Sequence, residues 1–86
     1  MQSSTSAAAF QTVKSAAGSM RAQILTLITG MGIVGATDDE VEAYTGMKHQ
    51  TASARRRELV LKGLVQDSGR TRPTRSGCAA TVWTAV

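Results

Sequence analysis

Residues 37–65, TDDEVEAYTGMKHQTASARRRELVLKGLV, constrain the fold more than any other stretch of the chain. Thr37 is followed by Asp38, Asp39 and Glu40. A hydroxyl ahead of a carboxylate at the third helical position is a capping box, and acids favour the positive end of the helix dipole. The acidic cluster is thereby explained as a helix start, and no further ligands follow that would make it a metal site. Val41, with Tyr44 or Thr45, is expected to face inward, and Gly46 sits where a turn needs positive φ. Met47 supplies an apolar plug for that turn. A second helix is predicted over residues 49–62, stopped by Gly63, with Lys62 near its negative end.

On this second helix Ala52, Leu59 and Gly63 share a face with Val60 beside it, while Gln50, Ser53, Ala54 and Arg57 lie opposite. Small residues at 52–54 allow close approach to a neighbour. Leu61 points away from the core. Arg56 is a misfit, within about 40° of Ala52 on a helical wheel. Either its alkyl stem lies along the core edge with the head in water, or it pairs with an acid of the preceding helix. Glu42 and Glu40 are the expected partners.

Upstream, Ser19 is a plausible N-cap, with Met20, Ile24, Leu27 and Ile28 on one helical stripe. Gly30 and Gly32 are expected to end that helix, and Ile33–Val34 to form a short edge strand. Residues 1–18 are Ser/Ala-rich and read as an N-terminal extension; Phe10, Val13 and Ala17 at helical spacing leave a short helix and a flexible arm both open. Downstream, residues 64–67 read as a strand, SGRTRPTRSG (68–77) as a turn-rich basic loop, and residues 78–86 as a second strand around Trp83. Pro73 suits a hairpin tip but not a central strand.

The whole chain has 86 residues, enough for a single domain whose core must come mainly from aliphatic side chains, since Phe10, Tyr44 and Trp83 are its aromatics. One cysteine, Cys78, and one histidine, His49, exclude an internal disulfide and a Cys- or His-rich metal site. They fit a reducing cytoplasm. No apolar run reaches the ~20 residues of a membrane helix, and the first residues lack the pattern of a signal peptide. A soluble intracellular protein with no cofactor, no metal and no membrane association is expected. An enzyme is not, because no nucleophile–base pair is available. Gly30, Gly32 and Gly35 space like a dinucleotide fingerprint but follow a helix and lack a βαβ unit.

Charge is unevenly placed. Residues 1–47 carry Lys14 and Arg21 against Asp38, Asp39, Glu40 and Glu42, a net of −2. Residues 48–86 carry Lys48, Arg55, Arg56, Arg57, Lys62, Arg70, Arg72 and Arg75 against Glu58 and Asp67, a net of +6. Such asymmetry points to a polyanion on the C-terminal half, against the duller reading of a solubilising surface.

The order helix, helix, turn, helix, strand, basic loop, strand resembles the winged helix-turn-helix proteins over residues 19–86. The residues that carry the likeness are the Thr37-to-Val41 helix start, Gly46 and Met47 at the turn, the run KHQTASAR from Lys48, and Glu58–Leu59 followed by Gly63, Leu64 and Val65. The combination is most similar to small winged-helix proteins carried by bacteriophages and prophages. The fold class implied is α+β, a three-helix core with a C-terminal two-stranded hairpin wing, an extra N-terminal helix being open.

The resemblance implies double-stranded DNA binding, as a transcriptional regulator or phage DNA-transaction factor in the bacterial cytoplasm at the nucleoid. The helix over residues 49–62 would then enter the major groove. Gln50 would pair with adenine, Thr51 and Ser53 would reach bases or phosphates, and Arg57 would read guanine or grip phosphate. Lys48 and His49 would sit at the entry turn, His49 being equally readable as a plain surface residue. Arg55 is a phosphate contact or a structural clamp. In the wing, Arg70, Thr71, Arg72 and Arg75 would reach flanking phosphates or the minor groove. About five phosphate contacts would give a salt slope near −4 to −5. The rival reading is a winged helix that binds a host or replication protein, with Leu61 as an interface residue. A homodimer, assembled through residues 10–17 or the first helix, is also open.

Overall fold

A computed structural model describes residues 16–86 of the chain. The N-terminal extension lies outside these as far as residue 15. Three helices, α1 (Ala16–Met31), α2 (Asp38–Thr45) and α3 (His49–Leu61), precede an antiparallel hairpin of β1 (Val65–Pro73) and β2 (Ala79–Ala85). The protein is therefore α+β, with a layout compatible with the expected one. Ser19 lies inside α1 rather than capping it, because the Ala-rich residues before it are already helical. Gly30 stays helical too, and Gly32, at φ +56°, is where the helix stops.

The core forms where the three helices meet the hairpin base. Ile24 and Ile28 of α1, Val41 of α2, Ala52 and Leu59 of α3, and Val65 of β1 are buried together with Ala36. Met47 and Val60 are packed against them. Thr45 is the residue that turns inward on α2; Tyr44 is exposed. The hydroxyl of Thr45 donates to the Val41 carbonyl at 2.6 Å and accepts from the Met47 amide at 3.2 Å. Gly46, at φ +76°, completes that turn.

The Thr37 capping box is present in both directions. The Glu40 amide donates to Thr37 Oγ1 at 3.1 Å, and the Thr37 amide to Glu40 Oε1 at 3.0 Å. Thr37 is fully buried, so the entry to α2 is fixed within the core rather than at its edge.

Two expectations about the hairpin are corrected. Ile33 and Val34 do not form an edge strand; Gly32–Val34 is a single 3₁₀ turn, and the extended contact falls later, where Ala36 bridges Trp83 of β2 through two backbone hydrogen bonds of 2.8 and 2.9 Å. Residues 68–73 are strand rather than loop. The Ser68–Gly69 turn signal produces a bulge between Asp67 and Thr71, where Asp67 Oδ1 accepts from the Gly69 amide at 2.8 Å. The hairpin tip lies further on, where the Thr74 amide donates to the Cys78 carbonyl. Pro73 is the last residue of β1.

Arg56 joins three elements. Its Nε and Nη2 donate to Asp38 Oδ1 and Oδ2 at 2.9 and 2.8 Å, and its guanidinium lies 4.1 Å from the Trp83 ring centroid. The acid is on α2 as expected, but it is Asp38 and not Glu42 or Glu40, which have other partners. Asp38 wins because it starts α2 beside Trp83, where a planar guanidinium both forks onto the carboxylate and stacks on the indole. Arg56→Ala is expected to cost about 2 kcal/mol, through the lost charge-assisted pair and cation–π contact. In a thermal melt this is a fall of the order of 10 °C. Arg56→Lys should recover little of it, because an ammonium cannot make the fork; a loss below ~0.5 kcal/mol in either variant would mark the contact as incidental.

Candidate nucleic-acid interface

The outward face of α3 is a stripe of exposed Gln50, Arg57 and Leu61, with half-buried Ser53 and Ala54 between them. It faces outward because Ala52 and Leu59 commit the opposite side to the core. The expected arc of Gln50, Ser53 and Arg57 is thus brought onto one surface. Thr51 and Arg55 are not on it. Both are half-buried about 100° or more from Gln50 around the helix. Arg55 Nη2 and Arg21 Nη1 of α1 each donate to Glu58 at 2.8 Å. Of the two roles open to Arg55, the structure displays the clamp. The paired guanidiniums, Arg21 first, hold the Glu58 carboxyl below its ordinary pKa.

The start of α3 differs from the start of α2. Thr37 and Glu40 cap α2, and three acids fill its first turn, whereas Lys48 at the N-cap of α3 makes no side-chain cap and the first turn holds no acid. Among the described residues the leading amides of α3 therefore lack a side-chain acceptor, and exposed Lys48 stands beside them. Next to it, exposed His49 places Nδ1 2.8 Å from Glu42 Oε2.

The hairpin arginines are engaged with the body of the protein. Arg72 Nε and Nη2 donate to Glu40 at 2.9 and 2.7 Å, and its other contacts are the Val34 and Gly35 carbonyls at 3.2 Å. Arg75 donates through Nε to Asp39 Oδ1 at 2.9 Å and through its amide to Oδ2 at 3.0 Å, while its Nη2 is 3.9 Å from Glu42 Oε1. Arg70 Nη2 donates to the Ile33 carbonyl. Thr71 is exposed on β1. These pairs depress the Asp39 and Glu40 carboxyls, Arg75 acting on the first and Arg72 on the second, and they raise both arginines.

The α2 acids therefore do more than start a helix. Each binds a basic side chain from α3 or the hairpin: Asp38 takes Arg56, Asp39 takes Arg75, Glu40 takes Arg72 and Glu42 takes His49. Their density was the available signal, since one helix dipole does not call for four carboxylates in five residues. By contrast, Lys48, Arg57, Lys62 and Arg70 take part in no ion pair among the described residues. Three of these four cations lie on α3 or at its ends, and Arg70 lies on β1.

Two further surfaces are open. A groove of about 630 Å³ runs between α1 and the end of α2, lined by Ala22, Thr26, Leu27 and Tyr44 among others. Leu61, Leu64 and Val86 are exposed near the end of α3. Among the described residues, no group of three or more His, Cys, Asp or Glu is placed to hold a metal ion, and no helix is long and apolar enough to cross a membrane. No known protein family, curated protein or solved structure matches the chain.

Proposed function

We propose that the chain is a winged helix-turn-helix module that binds double-stranded DNA, with α3 in the major groove and the hairpin as its wing. The role is that of a transcriptional regulator or a phage DNA-transaction factor. The observation that carries this reading is the contrast in pairing: α3 leaves Gln50, Arg57 and Lys48 outward and, among the described residues, without ionic partners, at a helix start without a side-chain cap. Amides at a helix start and a nearby lysine suit a phosphate, while Gln and Arg on one face suit base edges. Arg70, beside the bulge, and Thr71 serve flanking backbone; Arg72 serves to hold the wing on α2.

A protein partner is the second reading, favoured by the 75% exposure of Leu61 at the end of the same stripe. Selection of bound sequences from a random duplex pool separates the two. Recovery of a consensus, with duplex retained at about micromolar protein, supports DNA binding. No retention up to tens of micromolar (~10⁻⁵ M, within the ordinary range for non-specific binding) favours the protein partner. With Lys48, Arg57 and Arg70 as phosphate or groove contacts, log K should fall against log salt with a slope of about −3. That is shallower than a wing with all its arginines on phosphate would give.

A further inference from the structure

The start of α3 borders a cleft of about 320 Å³ that also touches Asp38, Asp39 and Glu42 of α2 and Thr74 and Cys78 of the hairpin tip. A phosphate approaching His49, which lines the cleft, would meet these carboxylates. Asp38 is forked by Arg56 and Asp39 by Arg75. Glu42 is less well compensated: Arg75 is 3.9 Å from one oxygen, and the close partner of the other is His49, at 2.8 Å. The Glu42 side chain is 17% exposed and that of His49 70% exposed, so the acid is tucked under the imidazole.

A carboxylate only accepts, so Nδ1 of His49 carries the hydrogen in this contact and Nε2 is the other ring nitrogen, left for solvent or ligand. In the neutral ring Nε2 is a lone pair that repels a phosphate oxygen, and Glu42 keeps its charge. In the imidazolium Nε2–H is a donor, and the His49–Glu42 pair is neutral. Resting on the DNA-binding reading above, we propose that His49 is a phosphate contact in its imidazolium form. Glu42 is the positioning residue that aims Nε2 outward, so that duplex affinity falls as the imidazolium loses its proton.

Glu42, hydrogen-bonded to Nδ1, holds His49 above its ordinary pKa, with Asp38 adding in the same direction. A raised value in the folded protein means that the pair is fully formed below the ordinary histidine range and is lost as pH rises through the raised value. The groups around the ring act on it in known directions. Asp38, Asp39 and Glu42 on α2 favour the cation; Arg75 at the tip and Lys48 on its own element oppose it. Cys78 lines the same cleft.

His49 is the single histidine of the chain, which makes the test direct. Affinity for one duplex is measured at about pH 6 and about pH 8, and the His49 ring is titrated by NMR with and without that duplex. The wild type should bind about tenfold more weakly at the higher pH, the worth of one charge-assisted hydrogen bond. His49→Gln should be flat with pH. Glu42→Gln should move the transition to lower pH, and duplex should raise the midpoint of the wild-type ring. A tenfold pH loss that persists in His49→Gln, or a ring midpoint unmoved by bound duplex, would overturn the assignment. Retention of no duplex by any variant at either pH would instead overturn the DNA-binding reading on which it rests.

Discussion

Gly35→Ala is expected to cost about 3–5 kcal/mol, a large part of the 5–15 kcal/mol that a typical small domain possesses. Gly35 sits at φ +66° and ψ −168°, a region that side-chain-bearing residues essentially avoid. A methyl group there would lie 2.5 Å from the Trp83 carbonyl oxygen, 2.7 Å from Val82 Cγ1 and 2.9 Å from Thr84 Cγ2. The carbonyl cannot yield, because it accepts the Ala36 amide at 2.9 Å while the Trp83 amide donates back to Ala36 at 2.8 Å. Relief would have to come from parting residues 35–36 from β2, which would also shift the buried Thr37 cap. The melting temperature should fall by at least ~15 °C. Gly30→Ala is the control: it is helical, has nothing near its added carbon, and should stabilise by about 0.5–1 kcal/mol. A Gly35→Ala melt within ~1 kcal/mol of the wild type would show that the loop and β2 separate freely.

The same position shows what the sequence could and could not reveal about the fold. The start of α2 was legible because its determinants are local: Thr37 and Glu40 satisfy each other across three residues, and Gly46 closes the helix one residue after Thr45. The Ala36–Trp83 bridge was not legible. One residue of pairing has no alternation to read, and its partner lies 47 residues away. Ser68–Gly69 was misread for a related reason. Asp67 holding the Gly69 amide is the same local chemistry at a hairpin tip and in a bulge. Only the partner strand decides, and pairing resumes at Thr71 with Thr81.

The candidate interface divides along the same line. The arc of Gln50, Ser53 and Arg57 follows from helical periodicity once Ala52 and Leu59 are assigned to the core, and it survives in the structure. The partners of the arginines do not follow from periodicity, since Arg72 meets Glu40 across 32 residues and Arg75 meets Asp39 across 36. Charge counted by halves of the chain saw a basic C-terminal half beside an acidic N-terminal one. It could not show that the two halves neutralise each other at α2, and that this cancellation moves the weight of the proposed DNA contact from the wing onto α3.

That shift makes α3 substitutions the most severe test of the proposed function. Arg57→Glu is expected to weaken cognate duplex about a hundredfold or more, since it removes a base or phosphate contact worth about 1–3 kcal/mol and sets a carboxylate against the duplex. Arg57 is exposed and takes part in no ion pair among the described residues, so the fold should be insensitive, with stability within ~0.5 kcal/mol of the wild type. Gln50, two turns earlier on the same stripe, separates reading from gripping. Gln50→Ala should cost about 1–3 kcal/mol on the selected sequence and relax one base position, with little loss on random duplex. A bidentate amide discriminates through adenine, whereas the phosphate contacts of Lys48 are blind to sequence. Equal losses from Gln50→Ala on cognate and random duplex would remove the base-reading role. Unchanged binding by Arg57→Glu would move the interface off this face of α3 altogether and leave Leu61, on the same stripe, as the mark of a protein partner.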